Sequence, residues 1–269
     1  MSNHLAPAFR VCGTSPATTI NINSACRPLS KSNDSPIDQY YDAAEAITIV
    51  GDPGLLHTHP VLGRLLLLGH TSAAESYVRG IIAGLLNICS VAKRHAGTHA
   101  IPFASLEYYS PSEMAYGLFE GKSLAGSQEL LQAIKKLTGI EIKPGSAAFV
   151  AIEKFDSVCH LRHAAVHAHG SIGTANVRAL GLSSGGGRMS VDIDLPRLHE
   201  VAMTCRTMAQ EMNQFLFDST LERWKNGGIL ARDYNLDRGN FRKLLQLFLS
   251  DRDNASGKFG PKKIYDHLV

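Results

Sequence analysis

Regular apolar spacing is sustained over four stretches of the chain, and each predicts an amphipathic helix. From Pro60 to about His95, Leu62, Leu65, Leu66, Tyr77, Ile81, Leu85 and Ile88 make one apolar stripe, which fits a single long helix or two abutting ones. Ser127 to Leu137 repeats Leu130, Leu131, Ile134 and Leu137, then stops at Thr138-Gly139 as helices do. Phe149, Ile152, Phe155, Val158 and Leu161 follow the break at Pro144-Gly145-Ser146, which places Ser146 as an N-cap and Gly170 as a C-cap. Pro196 opens the fourth, with Leu198, Val201, Met208, Met212, Phe215, Leu216 and Leu221 inward as far as Trp224.

Shorter signals fill the gaps. Ser35-Pro36-Ile37 begins a short first helix carrying Tyr40, Tyr41, Ala44 and Ile47, ended by Gly51-Asp52-Pro53-Gly54. Residues 96 to 126 read as an irregular connection with one short helix at Ser112 to Tyr116. Asn176 to Leu182 and Arg188 to Asp194 read as two strands around Ser183-Ser-Gly-Gly-Gly187, a hairpin signal. A last helix is expected at Asn240 to Leu249, with Phe241, Leu244, Leu245 and Phe248 on one face. Residues 1 to 36 are rich in Ser, Thr, Asn and Pro and hold too little apolar surface to order themselves, which predicts a disordered tail. The expected organisation is therefore a mostly α, up-and-down helical bundle over 37 to 225, a small β-hairpin inserted in it, and a C-terminal helical extension over 226 to 269.

Charge sharpens this only locally. The net charge of +3 is too small to name a partner, but residues 223 to 269 hold ten Lys and Arg against five Asp, so the extension is basic. Five scattered cysteines without a Cys-x-x-Cys pair point to neither a disulfide framework nor a thiolate zinc site, and to a cytoplasmic compartment. Gly80 to Ala92, the longest apolar run, falls short of the ~20 residues that cross a bilayer and predicts a buried helix, with no membrane partner.

The candidate chemistry is concentrated in Cys159 to Gly170, which holds four of twelve histidines and Arg162. At ~100° per residue, His160, His163 and His167 fall within ~60° on one helical face. Three imidazoles there are compatible with a zinc-dependent hydrolase, or with a merely structural cluster. The third reading pairs Arg162 with His167: a forked, permanent cation suits a phosphate and the charge that grows on phosphorus, and an imidazole moves protons near neutral pH. That pair suffices to cleave RNA without metal or cofactor, by attack of the 2′-hydroxyl on the adjacent phosphorus, leaving 2′,3′-cyclic phosphate and 5′-hydroxyl ends. Gly181-Leu182-Ser183-Ser184-Gly185 matches a serine-nucleophile pattern but lacks the helix that must follow it. Asp192 and Asp194 share one face of the expected second strand, which more often marks its wet side than a metal site.

Arg162-His163-Ala164-Ala165-Val166-His167 resembles the Arg-x4-6-His motif of HEPN-domain ribonucleases, including the polar residue after the arginine. The order of elements is similar to the RiboL-PSP branch of that family: an early helix with Glu75-Ser-Tyr77, a Leu-Leu-x-x-Ile-x-x-Leu-Thr-Gly helix, the Arg/His helix and a closing long helix. The likeness spans about residues 60 to 224. It implies a HEPN-like bundle and a metal-independent endoribonuclease, with Arg162, His167 and His163 catalytic, and with Glu75 orienting Arg162. It also implies RNA as substrate and a homodimer with a composite active site. The setting implied is prokaryotic, a toxin or anti-phage defence system, with a cognate inhibitor or sensor protein as a further partner. A catalytically silent HEPN-like module that binds RNA or protein is the alternative. Ala164, Ala165 and Ala168 are small enough for two such helices to approach closely.

Overall fold

A computed structural model describes residues 11–13, 15–30, 32–183, 185, 187–254, 257 and 259–269 of the chain. It divides into two compact units, 1–33 and 34–269. In the first, one helical turn, α1 (Ile22–Ala25), is capped by Asn21, and every described residue is exposed. Residues 1–10, 14 and 31 of the expected tail lie outside the described residues.

Every regular element of the second unit among its described residues is a helix, apart from one isolated β-bridge. Its helices are α2 (Pro36–Ile49), α3 (Pro53–Thr58), α4 (Pro60–Ile88), α5 (Ser90–Ala96), α6 (Ser105–Tyr108), α7 (Ser127–Thr138), α8 (Ala147–His167), α9 (Thr174–Ala179), α10 (Leu195–Asn226), α11 (Tyr234–Phe248) and α12 (Pro261–Leu268), with a 3-10 turn at Met114–Phe119. Their ends follow local chemistry. Ser35, Asp52, Ser146, Asp194 and Asp233 accept backbone N–H groups as N-caps, and Gly139 closes α7 in the left-handed conformation at φ 67°. The stripe from 60 to 95 resolves into two abutting helices, because Cys89 is extended between α4 and α5.

α4 is the central post. It packs on α2, α8, α10 and α11, and its Leu67, Ala74, Ile81 and Ile82 have no exposed surface. Ile152 and Phe155 of α8, and Leu198, Cys205, Met208 and Met212 of α10, close the core from the other sides. Gly84 brings α4 within reach of Leu247 on α11, where any side chain at 84 would collide.

Three expectations are corrected. The hairpin over 176–194 is not formed. Thr174–Ala179 is the helix α9, and among the described residues pairing reduces to one antiparallel bridge between Ser171 and Ser190, flanked by bonds from Ile172 N–H to the Met189 carbonyl and from Val191 N–H to the Gly170 carbonyl. Asn-Val-Arg-Ala-Leu is short enough to satisfy either period, and the helical one lets the buried Asn176 side chain meet His160. Ser184 and Gly186 of the expected turn lie outside the described residues. Asp194 is not part of a carboxylate pair but the cap of α10, accepting from Arg197 N–H at 3.0 Å.

The C-terminal segment is likewise no separate extension. It belongs to the same unit as α4, and Phe241 and Leu244 of α11 are fully buried. Asp237 fixes the turn before α11 by accepting from Ala231 and Arg232 N–H and from the Tyr265 hydroxyl of α12. Several of the segment's cations are tied into the fold: Arg223 donates to the Thr138 carbonyl, Lys225 to that of Leu268, and Arg252 to Asp42 and Glu45. The basic surplus seen in sequence is thus partly structural cement.

Candidate functional site

α8 carries the candidate residues on the half that leaves the core. Ser146 starts it by accepting Phe149 N–H at 3.2 Å, and Ala151, Ile152, Phe155, Val158 and Cys159 anchor its inner face. Beyond Cys159 the helix becomes amphipathic in a different sense. Ala164 stays buried, Arg162 is half-buried, and His163 and His167 are exposed. The helix ends on Ala168, followed by His169 at φ 51° and Gly170 at φ 92°. Gly170 N–H turns back to the Ala164 carbonyl at 3.0 Å. His169 is one of two non-glycine residues in the left-handed region among those described, a conformation that costs a branched residue more than a histidine.

The four histidines do not act as a set. His160 Nδ1 meets Asn176 Oδ1 at 3.1 Å and its Nε2 lies 3.4 Å from Asp156 Oδ2, an ion pair when the ring is protonated, while the other oxygen of Asp156 accepts Ser127 N–H at 2.7 Å. His160 therefore ties α8 to α9 and α7. His163 and His167 instead face each other, ring centroids 4.6 Å apart. The zinc arrangement of His160, His163 and His167 is not assembled, and among the described residues no group of three or more His, Cys, Asp or Glu is placed to hold a metal ion.

Arg162, His163 and His167 differ from His160 in being uncommitted. Among the described residues, none of the three makes a hydrogen bond or ion pair with another side chain or with the backbone. Side chains with that much bonding capacity at the surface of a helix end can meet a ligand without first breaking internal bonds.

Glu75, on α4, is turned away from Arg162. Its Oε1 accepts from Arg79 at 2.8 Å and from Leu124 N–H at 2.7 Å, and the side chain is 14% exposed. Among the described residues no hydrogen bond or ion pair joins it to Arg162. Both act electrostatically on the Cys159 thiol, whose pKa is raised by burial first, then by Cys205, Asp156 and Glu75, against the opposing pull of Arg162. Tyr77, the phenol of the same sequence cluster, is buried and donates to Asn213 on α10. The small residues around Glu75 serve close packing, as Thr71, Ala73 and Ala74 are all buried.

The alanines are divided as well. Ala164 is used inside the protomer and Ala165 is half-buried against its core, which leaves Ala168 and the 44%-exposed Val166 as the outward apolar surface near His167.

One side chain missed in the sequence belongs to this end of the bundle. Arg64 of α4 lies across Gly170, its Nε and Nη1 3.2 Å from the point a β-carbon at 170 would occupy. Helical periodicity alone hides it, since residue 64 only interrupts an apolar run. A cavity of about 800 Å³ between α2, α10, α11 and α12 is walled by Tyr41, Gln210, Phe217 and Phe248 and includes none of the candidate residues.

Fold and site together define an all-helical bundle with an Arg/His cluster at the free end of one helix. No family model, curated protein or solved structure matches the chain.

Proposed function

We propose that the protein is a metal-independent endoribonuclease of the HEPN kind, cutting single-stranded RNA at the C-terminal end of α8. The observation that carries this is the uncommitted state of Arg162, His163 and His167, beside a His160 that is tied to Asn176 and lies against Asp156. A guanidinium supports the charge that develops on the phosphoryl oxygens. One neutral imidazole accepts the 2′-hydroxyl proton as the O2′–P bond forms, and one imidazolium delivers a proton to O5′ as the P–O5′ bond breaks. The products are a 2′,3′-cyclic phosphate and a 5′-hydroxyl, and the protein's net proton count is unchanged.

Attacking and leaving oxygens lie on opposite sides of the phosphorus in an in-line displacement. His163 and His167, 4.6 Å apart on one helix face, reach it from the same side. A second copy of α8 across a two-fold axis supplies the opposing group, which gives a homodimer a chemical reason as well as a geometric one. In this reading Val166 and Ala168 lie at the dimer contact. Glu75 takes on its positioning role through its second oxygen, Oε2, which has no hydrogen-bond partner among the described residues. A toxin or anti-phage role, restrained by an inhibitor or sensor protein, follows only from the family resemblance.

Site-directed variants test the assignment. His167→Ala and Arg162→Ala should abolish cleavage of single-stranded RNA while leaving the urea unfolding curve unchanged, because neither side chain holds the core together. Arg162→Lys should fail too, since an ammonium lacks the fork. Full activity in purified His167→Ala would end the proposal and leave a silent RNA- or protein-binding module as the better reading.

A further inference from the structure

Two segments that meet at the motif end of the bundle, residues 53–74 and 157–191, contain no Asp, Glu or Lys. Their only permanent charges are Arg64, Arg162, Arg178 and Arg188. Segments that carry arginine and no carboxylate or lysine of their own suit forked recognition of phosphate oxygens, where lysine serves only as a point charge. The first half of α4 and the C-terminal half of α8 are joined here by the contact of Arg64 with Gly170.

That contact is built rather than incidental. Gly170 sits at φ 92°, where side chains are strained, and any β-carbon would press on the Arg64 Cδ, Nε and Nη1 atoms at 3.0–3.2 Å. Both ends of the Gly170 peptide frame are also fixed: its N–H bonds to the Ala164 carbonyl, and its carbonyl accepts Val191 N–H at 2.7 Å. The Arg64 side chain thus lies against a hydrogen-bonded turn; the residue is half-buried, and among the described residues it makes no hydrogen bond or ion pair. Gly170 is three residues from His167, a chain distance of at most about 11 Å.

We infer that Arg64 binds the phosphate next to the one that is cleaved, so that the site takes a single-stranded RNA segment with at least two consecutive phosphates. The inference rests on the ribonuclease reading above and adds a subsite to it. Arg162 serves the reacting phosphate, and Arg64 fixes the register of the strand. Arg188, which donates to Ser171 at 3.2 Å, continues the arginine surface past Gly170.

Two measurements on the full chain test it. In a His167→Ala background, which binds without cutting, Arg64→Gln should weaken a labelled ten-nucleotide single-stranded RNA about tenfold and flatten the log–log salt dependence by about 0.7, the value of one phosphate contact on a single strand. In the active protein, Arg64→Gln should leave turnover of a dinucleoside monophosphate, which has one phosphate, within about twofold. It should lower kcat/KM for a tetranucleotide about tenfold, mostly through KM. Arg64→Lys should restore the salt slope, which guards against a folding defect in the glutamine variant. Equal losses on both substrates, or an unchanged salt slope in a parent that binds RNA, would overturn the subsite and leave the ribonuclease reading intact. A wild-type protein that cleaves no RNA of any length would remove both.

Discussion

His70 makes the stability of the bundle depend on pH in a way that can be worked out from its surroundings. It lies on α4 with no exposed surface; its Nε2 meets Thr48 Oγ1 at 3.5 Å, and its Nδ1 has no partner among the described residues. Burial pulls its pKa from 6.5 to about 4. Above pH 6.5 the ring is neutral in folded and unfolded chains and adds no pH dependence. As pH falls below 6.5 the unfolded chain takes up a proton that the folded one refuses, so stability is lost progressively until about pH 4, where both are protonated. At ~1.36 kcal/mol per pH unit the interval is worth roughly 3 kcal/mol, or about 2 if the charged ring recruits some water. Trp224 is the only tryptophan and is 1% exposed, so its fluorescence reports global urea unfolding. His70→Leu is the control, because Thr48 Oγ1 keeps its 2.8 Å bond to the Ala44 carbonyl. Between pH 7.5 and 4.5 the wild type should lose most of that increment relative to the variant. Carboxylates held low, Asp237 among them, weaken both proteins at still lower pH and cancel in the difference. Parallel stability curves for the two proteins would refute the argument and mean that the ring is not kept neutral.

Asp237→Ala should destabilise the bundle by about 2–3 kcal/mol in urea unfolding, because the backbone N–H groups of Ala231 and Arg232 and the Tyr265 hydroxyl lose their acceptor together. A loss below about 0.5 kcal/mol would mean that water replaces the carboxylate at no penalty. Val166→Glu places a charge on an exposed apolar position beside His167 and should convert a sedimenting dimer into a monomer with lost cleavage but an unchanged unfolding curve. A monomeric wild type that cleaves RNA would contradict the shared site.

The sequence made the helices readable where period and caps agreed. Ser146 and Ser35 cap the helices whose starts they signal, and Gly139 ends α7 in the left-handed region, whereas Asp52, read only as part of a break, caps the unforeseen α3. The segment from 174 to 194 was not readable, because a six-residue run satisfies both periods and the choice rests on the tertiary bond between Asn176 and His160. The role of the C-terminal segment was hidden for a similar reason. A charge count does not reveal that Arg223, Lys225 and Arg252 point back onto carbonyls and carboxylates of the bundle. At the candidate site, the spacing placed His160, His163 and His167 on one face, yet only the packing separates a structural His160 from the paired His163 and His167. Arg64 had one legible signal, the absence of any acidic residue from 53 to 74 and from 157 to 191, and it becomes informative only once the fold joins those segments.

The ends of the cut RNA report the chemistry of cleavage directly. Purified full-length protein should be incubated with single-stranded RNA in excess EDTA, and the product termini identified by mass. Cleavage should be undiminished and leave 2′,3′-cyclic phosphate and 5′-hydroxyl ends, both lost in His167→Ala. Cleavage that disappears with EDTA and returns with zinc, or that leaves 5′-phosphate ends, would contradict it.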